Sequence, residues 1–306
     1  MSALSDHVED YLRLRRALGY KLERAGHLLP KLVAYLDAAG SPRLTTELAV
    51  SWARLPAHTR PNHWAARLAV ARGFARYLRT IEPATEVPPA GVFPSRRHRP
   101  APYLWSPQDI CRLLDAARAL PTPLRAATYE SLFGLLAVSG MRLGEATGLD
   151  RDDVDFEAGV ITIRQAKFDR ARLVPVHETT TAALRAYAAE RDLLCPAPSS
   201  AAFFVSGAGT RLNRSAVAKT LRQITTAMGL RNATVHPTAH QLRHSFAVRT
   251  LIGWQRSGTS IDERIAELSI YLGHVAPADT YWYLSAAPEL MALAAERLDS
   301  RFGSTR

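Results

Sequence analysis

The amino-acid sequence predicts a mainly α-helical protein with a small antiparallel β-sheet, divided into two domains. Over most of the 306 residues, apolar side chains recur every three or four positions, which is the period of an amphipathic helix. Two short runs rich in β-branched residues, 160–163 and 173–176, break that pattern and predict a hairpin. A proline-rich stretch without hydrophobic period lies near residue 90, and a chain of this length is expected to form two domains.

Residues 1–81 are predicted to form an N-terminal helical domain. Its predicted helices span 5–22, 23–39, 46–55 and 61–81. The last helix is amphipathic, because Trp64 and Leu68 mark an apolar face while Arg67 and Arg76 add positive charge.

Residues 82–104 are predicted to form an extended linker, and residues 105–306 a C-terminal domain. Prolines are frequent in the linker and prevent a regular helix or strand. The linker also carries a basic cluster that consists of Arg96, Arg97, His98 and Arg99. A basic, extended segment is suited to contact a polyanion.

The first candidate site residues follow a buried helix. The almost wholly apolar run 131–138 ends in a Ser-Gly pair, which predicts a helix stopped by a turn. Arg142 emerges just after this turn, and Glu145 lies on the same side, one turn later. Lys167 falls between the two β-rich runs, so we expect it on the turn of the hairpin.

The other candidates lie near the C-terminal end. His240 and Arg243 are three positions apart and therefore share one face of a helix. His274 follows a Leu-Gly pair. The segment 276–280 has the composition of a helix start, with proline near the first helical position, and Tyr283 falls on the first turns of that helix.

These two arginines, two histidines, one lysine and one tyrosine supply what phosphoryl transfer requires. The planar fork of arginine binds two phosphate oxygens at once as they gain charge. A lysine whose pKa is lowered by neighbouring cations can protonate a leaving 5′-oxygen, and a tyrosine nucleophile needs a base. Only four of the 39 Lys and Arg residues are lysines, yet one of them, Lys167, stands where the reaction needs a proton donor.

In order, spacing and local context the six residues resemble the tyrosine recombinase (phage integrase) family, over about residues 105–285. The resemblance implies a SAM-like, helical core-binding domain and a DNA breaking-rejoining catalytic domain, which form a C-shaped clamp. It also implies that Arg142, Arg243 and His274 bind the scissile phosphate, while Glu145 braces the first arginine.

By the same resemblance, Lys167 protonates the leaving oxygen and His240 helps to deprotonate the tyrosine. Tyr281 and Tyr283 are two positions apart, so they face different directions on a helix and cannot both attack. The family pattern places the nucleophile nine residues after the Leu-Gly-His histidine and three after Thr280. Both counts give Tyr283.

The implied function is that of a site-specific recombinase or integrase. It would cleave and rejoin DNA through a 3′-phosphotyrosyl intermediate and a Holliday junction, with no metal or other cofactor. Expected partners are double-stranded DNA with paired recombination sites, other recombinases or accessory DNA-bending proteins, and further copies in a homotetramer. An amphipathic helix over 288–302 would join these copies.

Several features refine that expectation. The Tyr-Trp-Tyr-Leu ending favours a mobile-element recombinase, for integration, excision or transposition, over chromosome-dimer resolution. The segment between Arg243 and Leu272 is several residues longer than in short bacterial members, through residues 254–259, which are a candidate loop for contact with DNA or another subunit. The DNA-contact candidates are Arg67, Arg76, Arg96, Arg97 and Arg99.

Two other functions stay open at this level. A type IB-like DNA topoisomerase uses a similar set of residues but relaxes supercoils as a monomer, without a specific site. A catalytically silent DNA-binding accessory subunit of a multi-recombinase system would keep the fold without the reaction.

Composition narrows the possible partners. The net charge of +11 favours a polyanion. No apolar run approaches the roughly 20 residues of a membrane span, and no signal peptide is evident, so a cytoplasmic, nucleoid-associated protein is expected.

Cys111 and Cys195 are too few for a disulfide framework. His240 and His244 have zinc-ligand spacing, but Gln241 replaces the glutamate of a zinc protease, so no metal site is predicted.

Overall fold

The computed structural model describes residues 3–94, 102–164, 171–274, 278–286 and 292. The chain divides into two compact units, Met1–Arg99 and Pro100–Arg306. Most described residues are helical, and the described strands form one three-stranded antiparallel sheet, which confirms the predicted mainly α class. In the part of the chain that the structure describes, no helix is both long and apolar enough to span a bilayer.

The first unit contains the four predicted helices. They are α1 (Ala3–Ala17), α2 (Glu23–Ala38), α3 (Thr46–Arg54) and α4 (Pro61–Leu78). Their apolar faces meet in one core that includes Leu32, Trp52 and Phe74. The predicted extension of the first helix to residue 22 is wrong, because the backbone turns at Gly19 (φ 83°), a conformation that ends a helix.

Arg67 is part of this core and does not project from α4. Its side chain is buried, its guanidinium lies 4.0 Å from the centre of the Trp52 ring, and it donates a 2.9 Å hydrogen bond to the Trp52 carbonyl. Burial, followed by the charge of Arg24, lowers the pKa of this guanidinium. We therefore assign Arg67 to the packing of α3 against α4, which corrects its prediction as a DNA contact.

The first half of the predicted linker packs on the same unit. Val87, Val92 and Phe93 contact its core, and the backbone N–H of Thr46 donates to the Glu86 carboxylate at 2.8 Å. The boundaries predicted for the two domains and their linker stay predictions.

The second unit holds the other helices and the sheet. Its elements are α5 (Pro107–Arg118), α6 (Pro123–Ser139), α7 (Leu143–Ala146), β1 (Val154–Asp155), β2 (Val160–Ile163), β3 (Arg172–Pro175), α8 (Glu178–Leu194), α9 (Arg214–Ala227), α10 (Ala239–Arg256), α11 (Ile261–Leu272) and α12 (Ala278–Ala286). A short 3-10 turn precedes β1. The element α6 lies at the centre, because it contacts α5, α8 and α10.

The helix α6 ends where its sequence predicts. Leu132, Phe133 and Leu136 are fully buried, as expected for a helix that is apolar on nearly all sides. Gly140 then adopts φ 61°, and a Cβ at this position would lie 2.5 Å from a ring carbon of Phe246. Only glycine combines this backbone conformation with so close an approach.

The predicted hairpin is present. Strands β2 and β3 pair antiparallel, from Val160 opposite Pro175 to Ile163 opposite Arg172. Their buried side chains join the core below α6. Residues 165–170, including Lys167, lie outside the described residues, so the predicted position of Lys167 on the turn of the hairpin stays a prediction.

The last helices form a smaller core that contains Leu251, Leu268, Leu272 and Tyr283. The loop expected over 254–259 is helix in its first half, because α10 continues to Arg256, and the second half belongs to the short connection into α11. The helix predicted over 288–302 falls outside the described residues apart from Ala292.

Candidate active site

Arg142 stands at the start of α7, immediately after the turn that ends α6. Its guanidinium donates to the Glu145 carboxylate at 2.7 Å and to the Gly273 carbonyl at 2.7 Å. Its backbone N–H also donates to Glu145, at 2.8 Å. The side chain is 35% exposed, so Arg142 is fixed on one side and accessible to a ligand on the other.

Arg243 lies deeper, with only 1% of the residue exposed. It donates to the carbonyls of Gly140 at 2.9 Å and Leu272 at 2.7 Å. Burial, and then the positive charge of Arg142, lowers its pKa to about 10, so it stays charged at neutral pH. The interaction with Tyr283 partly opposes that shift.

The carbonyls that hold these arginines belong to two helix ends. The helices α6 and α11 end at Gly140 and Gly273, both in the left-handed conformation (φ 61° and 68°). The carboxyl end of a helix carries a partial negative charge. Each end therefore attracts a guanidinium, and the two arginines from distant parts of the sequence are brought to one place.

His274 follows directly on the second helix end. Its Nδ1 lies 2.7 Å from the hydroxyl of Thr280. Burial lowers the pKa of His274 to about 4, and the charges of Arg243 and Arg142 act in the same direction. At neutral pH the imidazole is therefore neutral, with one N–H donor and one acceptor nitrogen.

Tyr283 is 2% exposed, and its ring stacks on His274 with centroids 5.9 Å apart and an interplanar angle of 24°. Burial raises the pKa of its phenol, while the charge of Arg243 and a hydrogen bond to it oppose the rise. The hydroxyl is thus protonated at neutral pH. Tyr281, on the same helix, is 46% exposed, so the two tyrosines face different surroundings, as their spacing predicts.

A pair of histidines reaches Tyr283 from α10. His240 is exposed, and its ring centroid lies 4.4 Å from that of His244. The ring of His244 lies 5.3 Å from that of Tyr283 and 4.9 Å from that of Trp282. Sequence reasoning treated His244 only as a candidate zinc ligand and missed its contact with the tyrosine. Its position one turn after His240 was the available signal.

Arg172 was also missed as a site residue. It begins β3, is 12% exposed, and places both terminal nitrogens 2.9 Å from the two oxygens of Glu145. Burial alone would raise the pKa of Glu145, but the hydrogen bonds and charge of Arg172, together with the hydrogen bonds of Arg142, lower it to about 2. The carboxylate is therefore ionised and joins two arginines.

The remaining predicted site residues are either exposed on the first unit or outside the described residues. Arg76 is exposed on α4 and stays a candidate DNA contact. The general-acid candidate Lys167 lies outside the described residues, and so does the basic cluster Arg96, Arg97 and Arg99.

The described site collects arginines, a neutral histidine and a protonated tyrosine around one position. Such a set can neutralise a phosphate while a hydroxyl attacks it, and no carboxylate other than Glu145 takes part in the contacts described above. The fold and the site together define the class of phosphoryl-transfer enzymes that use a tyrosine as nucleophile.

Comparison with known proteins identifies the family. The model of the phage integrase family matches residues 105–289. A protein named as an integrase/recombinase, y4rB of Sinorhizobium fredii, is 44% identical over 99% of both chains. The tyrosine recombinase XerC of Azotobacter vinelandii is 34% identical over 60% of this chain and 58% of its own. The chain belongs to the phage integrase family of tyrosine recombinases.

Solved structures agree with the fold. The Tn1549 transposon integrase, in complex with transposon right end DNA, superposes with a TM-score of 0.65 at 15% identity, covering 97% of this chain and 99% of that one. The XerH recombinase bound to its difH substrate gives 0.62 at 18% identity, over 82% and 72% of the two chains. Both of these neighbours are bound to DNA. Neither the topoisomerase nor the accessory alternative is supported by the comparisons.

Proposed function

We propose that this recombinase inserts, excises or transposes a mobile DNA element by a phosphotyrosine mechanism. Its similarity to y4rB over nearly the whole chain supports an integrase/recombinase role. The fold shared with a transposon integrase and the sequence after α11 are consistent with a mobile element. Paired DNA sites, a homotetramer joined through residues 288–302, and accessory proteins belong to the same proposal.

In the proposed reaction the hydroxyl oxygen of Tyr283 attacks the scissile phosphorus. The bond from phosphorus to the 5′-oxygen breaks, which leaves a 3′-phosphotyrosine and a 5′-hydroxyl. Lys167 donates the proton that the leaving oxygen takes up, while His240, with His244 beside it, accepts the phenolic proton. Attack by the 5′-hydroxyl of the partner strand reverses these steps, and two rounds exchange the strands through a Holliday junction.

The arginines and His274 stabilise the transition state of both steps. Arg142 and Arg243 are charged donors, and the burial of Arg243 strengthens its interaction with a phosphate. His274 donates one N–H without adding a charge. The bond energy is retained in the phosphotyrosine, so the reaction requires neither ATP nor a metal ion.

One observation carries this proposal. Tyr283 is buried against His274 and Arg243, whereas Tyr281 on the same helix is exposed. Any buried hydroxyl needs a hydrogen-bond partner, but here a second guanidinium, Arg142, also acts on the hydroxyl, as expected for a nucleophile beside a bound phosphate. This pair of tyrosines also provides the control for the test.

A basic cavity supports DNA as the substrate. It measures about 690 Å³ and opens beside His240, with Arg222, Arg231 and His236 among its lining residues. A backbone phosphate next to the cleaved one would meet positive charge there.

The test uses a nicked substrate that carries the DNA flanking the gene and loses a short 5′-hydroxyl fragment once cleaved. In EDTA the wild type is expected to form a covalent protein–DNA band. Tyr283→Phe should form none while binding the DNA as before, because only the nucleophile is removed. Tyr281→Phe, the matched control, should keep the band.

Two results would contradict the proposal. Adduct that persists in Tyr283→Phe but vanishes in Tyr281→Phe would assign the nucleophile to the exposed tyrosine. Absence of adduct in the wild type on every flanking sequence, with DNA binding intact, would argue that the chain binds DNA without cutting it.

A further inference from the structure

Two arginines, Arg142 and Arg172, donate hydrogen bonds to the oxygens of the Glu145 carboxylate. One oxygen accepts from the guanidinium of Arg142 at 2.7 Å and from Arg172 at 2.9 Å. The other accepts from the backbone N–H of Arg142 at 2.8 Å and from Arg172 at 2.9 Å. A carboxylate offers about four acceptor positions, so these four bonds use all of them.

Arg172 also contacts the second support of Arg142. Its Nε donates to the carbonyl of Tyr271 at 3.2 Å, and its guanidinium lies against Gly273. A Cβ at Gly273 would stand 2.5 Å from a terminal nitrogen of Arg172. The carbonyl of the same glycine accepts from Arg142. Both groups that hold Arg142 are therefore in contact with Arg172.

This arrangement limits the orientations that the Arg142 guanidinium can adopt. Glu145 is 7% exposed, and a buried carboxylate that lost Arg172 would need other donors. Arg142 is the donor within reach, and its fork would turn to bind both carboxylate oxygens. A guanidinium turned in this way would direct fewer of its N–H groups toward the phosphate.

We propose that Arg172 is a positioning residue for catalysis: it saturates Glu145 and thereby keeps the guanidinium of Arg142 directed at the scissile phosphate. The inference rests on the proposed function, in which Arg142 binds that phosphate. Arg172 thus joins Glu145 as a residue that supports the six catalytic residues without touching the substrate.

The first test measures single-turnover cleavage of the nicked substrate at saturating DNA. Arg172→Ala is expected to cleave about 10²-fold more slowly, the effect of misplacing a catalytic group by about 1 Å, with DNA affinity changed less than about twofold. Arg172→Lys keeps the charge but cannot bridge both oxygens, so its loss should be about tenfold. The control Arg185→Ala removes an arginine from an exposed ion pair and should cleave like the wild type.

A second substrate separates positioning from a merely structural role. In a scissile methylphosphonate a methyl group replaces one non-bridging oxygen, so the phosphate is neutral and depends less on Arg142. The defect of Arg172→Ala should then shrink to less than about tenfold. A defect of equal size on both substrates would overturn the proposal.

A double variant provides an independent check. If Arg172 acts through Arg142, adding Arg172→Ala to Arg142→Lys should cost little more than Arg142→Lys alone. A double variant whose loss of cleavage rate equals the product of the two single losses would contradict the proposal. If Arg172→Ala does not fold, the same comparison is made with Arg172→Lys, and wild-type cleavage by a folded Arg172→Lys would also overturn the proposal. Failure of the proposed function is distinguishable, because then the wild type itself forms no adduct.

Discussion

Arg67 in the first unit and Arg243 in the second are both buried, and both donate to backbone carbonyls. Burial lowers the pKa of each. Their neighbours differ, because Arg67 covers the Trp52 ring, whereas Arg243 meets Arg142 and Tyr283. Burial of a charge therefore does not by itself mark an active site. An active site is marked instead by further polar groups that converge on the buried charge.

The largest effect expected from this comparison is that of Arg243→Lys. Lysine keeps the charge but lacks the fork that spans the Gly140 and Leu272 carbonyls, so it cannot hold the same position beside the phosphate. Cleavage should fall about 10³-fold, as when a preorganised donor is lost. The measurement is single-turnover cleavage with DNA binding followed in parallel. Cleavage within tenfold of the wild type would remove Arg243 from the catalytic set.

The matching change in the first unit is expected to affect stability only. Arg67→Met removes the 2.9 Å hydrogen bond to the Trp52 carbonyl, which keeps the 3.3 Å bond from the Leu55 N–H, and it removes the guanidinium from the Trp52 ring. It should lower the free energy of unfolding by about 1–3 kcal/mol. Cleavage per folded molecule should stay within about twofold of the wild type, because Arg67 belongs to the core. Urea unfolding and the suicide-substrate assay together check this. A large loss of DNA binding in a folded Arg67→Met would restore the DNA-contact assignment.

The smallest expected effect is a pH dependence confined to the second unit. The pKa of His274 is about 4 in the folded protein, against an ordinary value of 6.5. The unfolded chain therefore binds this proton first, and the stability that the neutral histidine contributes above pH 6.5 is lost as the pH falls toward 4.

We expect the melting temperature of the wild type to fall more steeply between pH 7 and pH 5 than that of His274→Gln. His63→Gln, a change at an exposed position of the first unit, should keep the wild-type slope. Equal slopes in His274→Gln and the wild type would show that burial and the neighbouring arginines do not lower the pKa of this imidazole.

The features that were predictable from sequence are those set by local spacing. The end of α6 at a Ser-Gly pair, the hairpin, and the shared helix of His240 and Arg243 all follow from patterns within a few residues. The roles of Arg172 and Arg67 could not be predicted in this way. Arg172 meets Glu145 across 27 positions, and Arg67 lies buried against Trp52, 15 positions earlier, although it was counted as surface charge. The roles of both arginines are set by tertiary packing between residues that are distant in sequence.

The extent of α1 and the first half of the loop expected over 254–259 were wrong for a related reason. Residues 18–22 continue an apolar pattern, but the positive φ of Gly19 takes the chain out of the helix. Trp254 continues α10, and the Arg264 guanidinium lies 5.1 Å from the centre of its ring. A helix can extend when a neighbouring helix covers its last turn, and single-sequence patterns do not show that neighbour.

The two helix ends that hold the arginines have a consequence for engineering. A main-chain carbonyl carries no net charge, cannot be protonated, and is present whichever residue occupies its position. The carbonyl anchor points of Arg142 and Arg243 thus depend on where α6 and α11 stop, at Gly140 and Gly273. A designer who retargets this recombinase should therefore preserve both glycines and the lengths of both helices, together with the Glu145 and Arg172 side chains that hold Arg142.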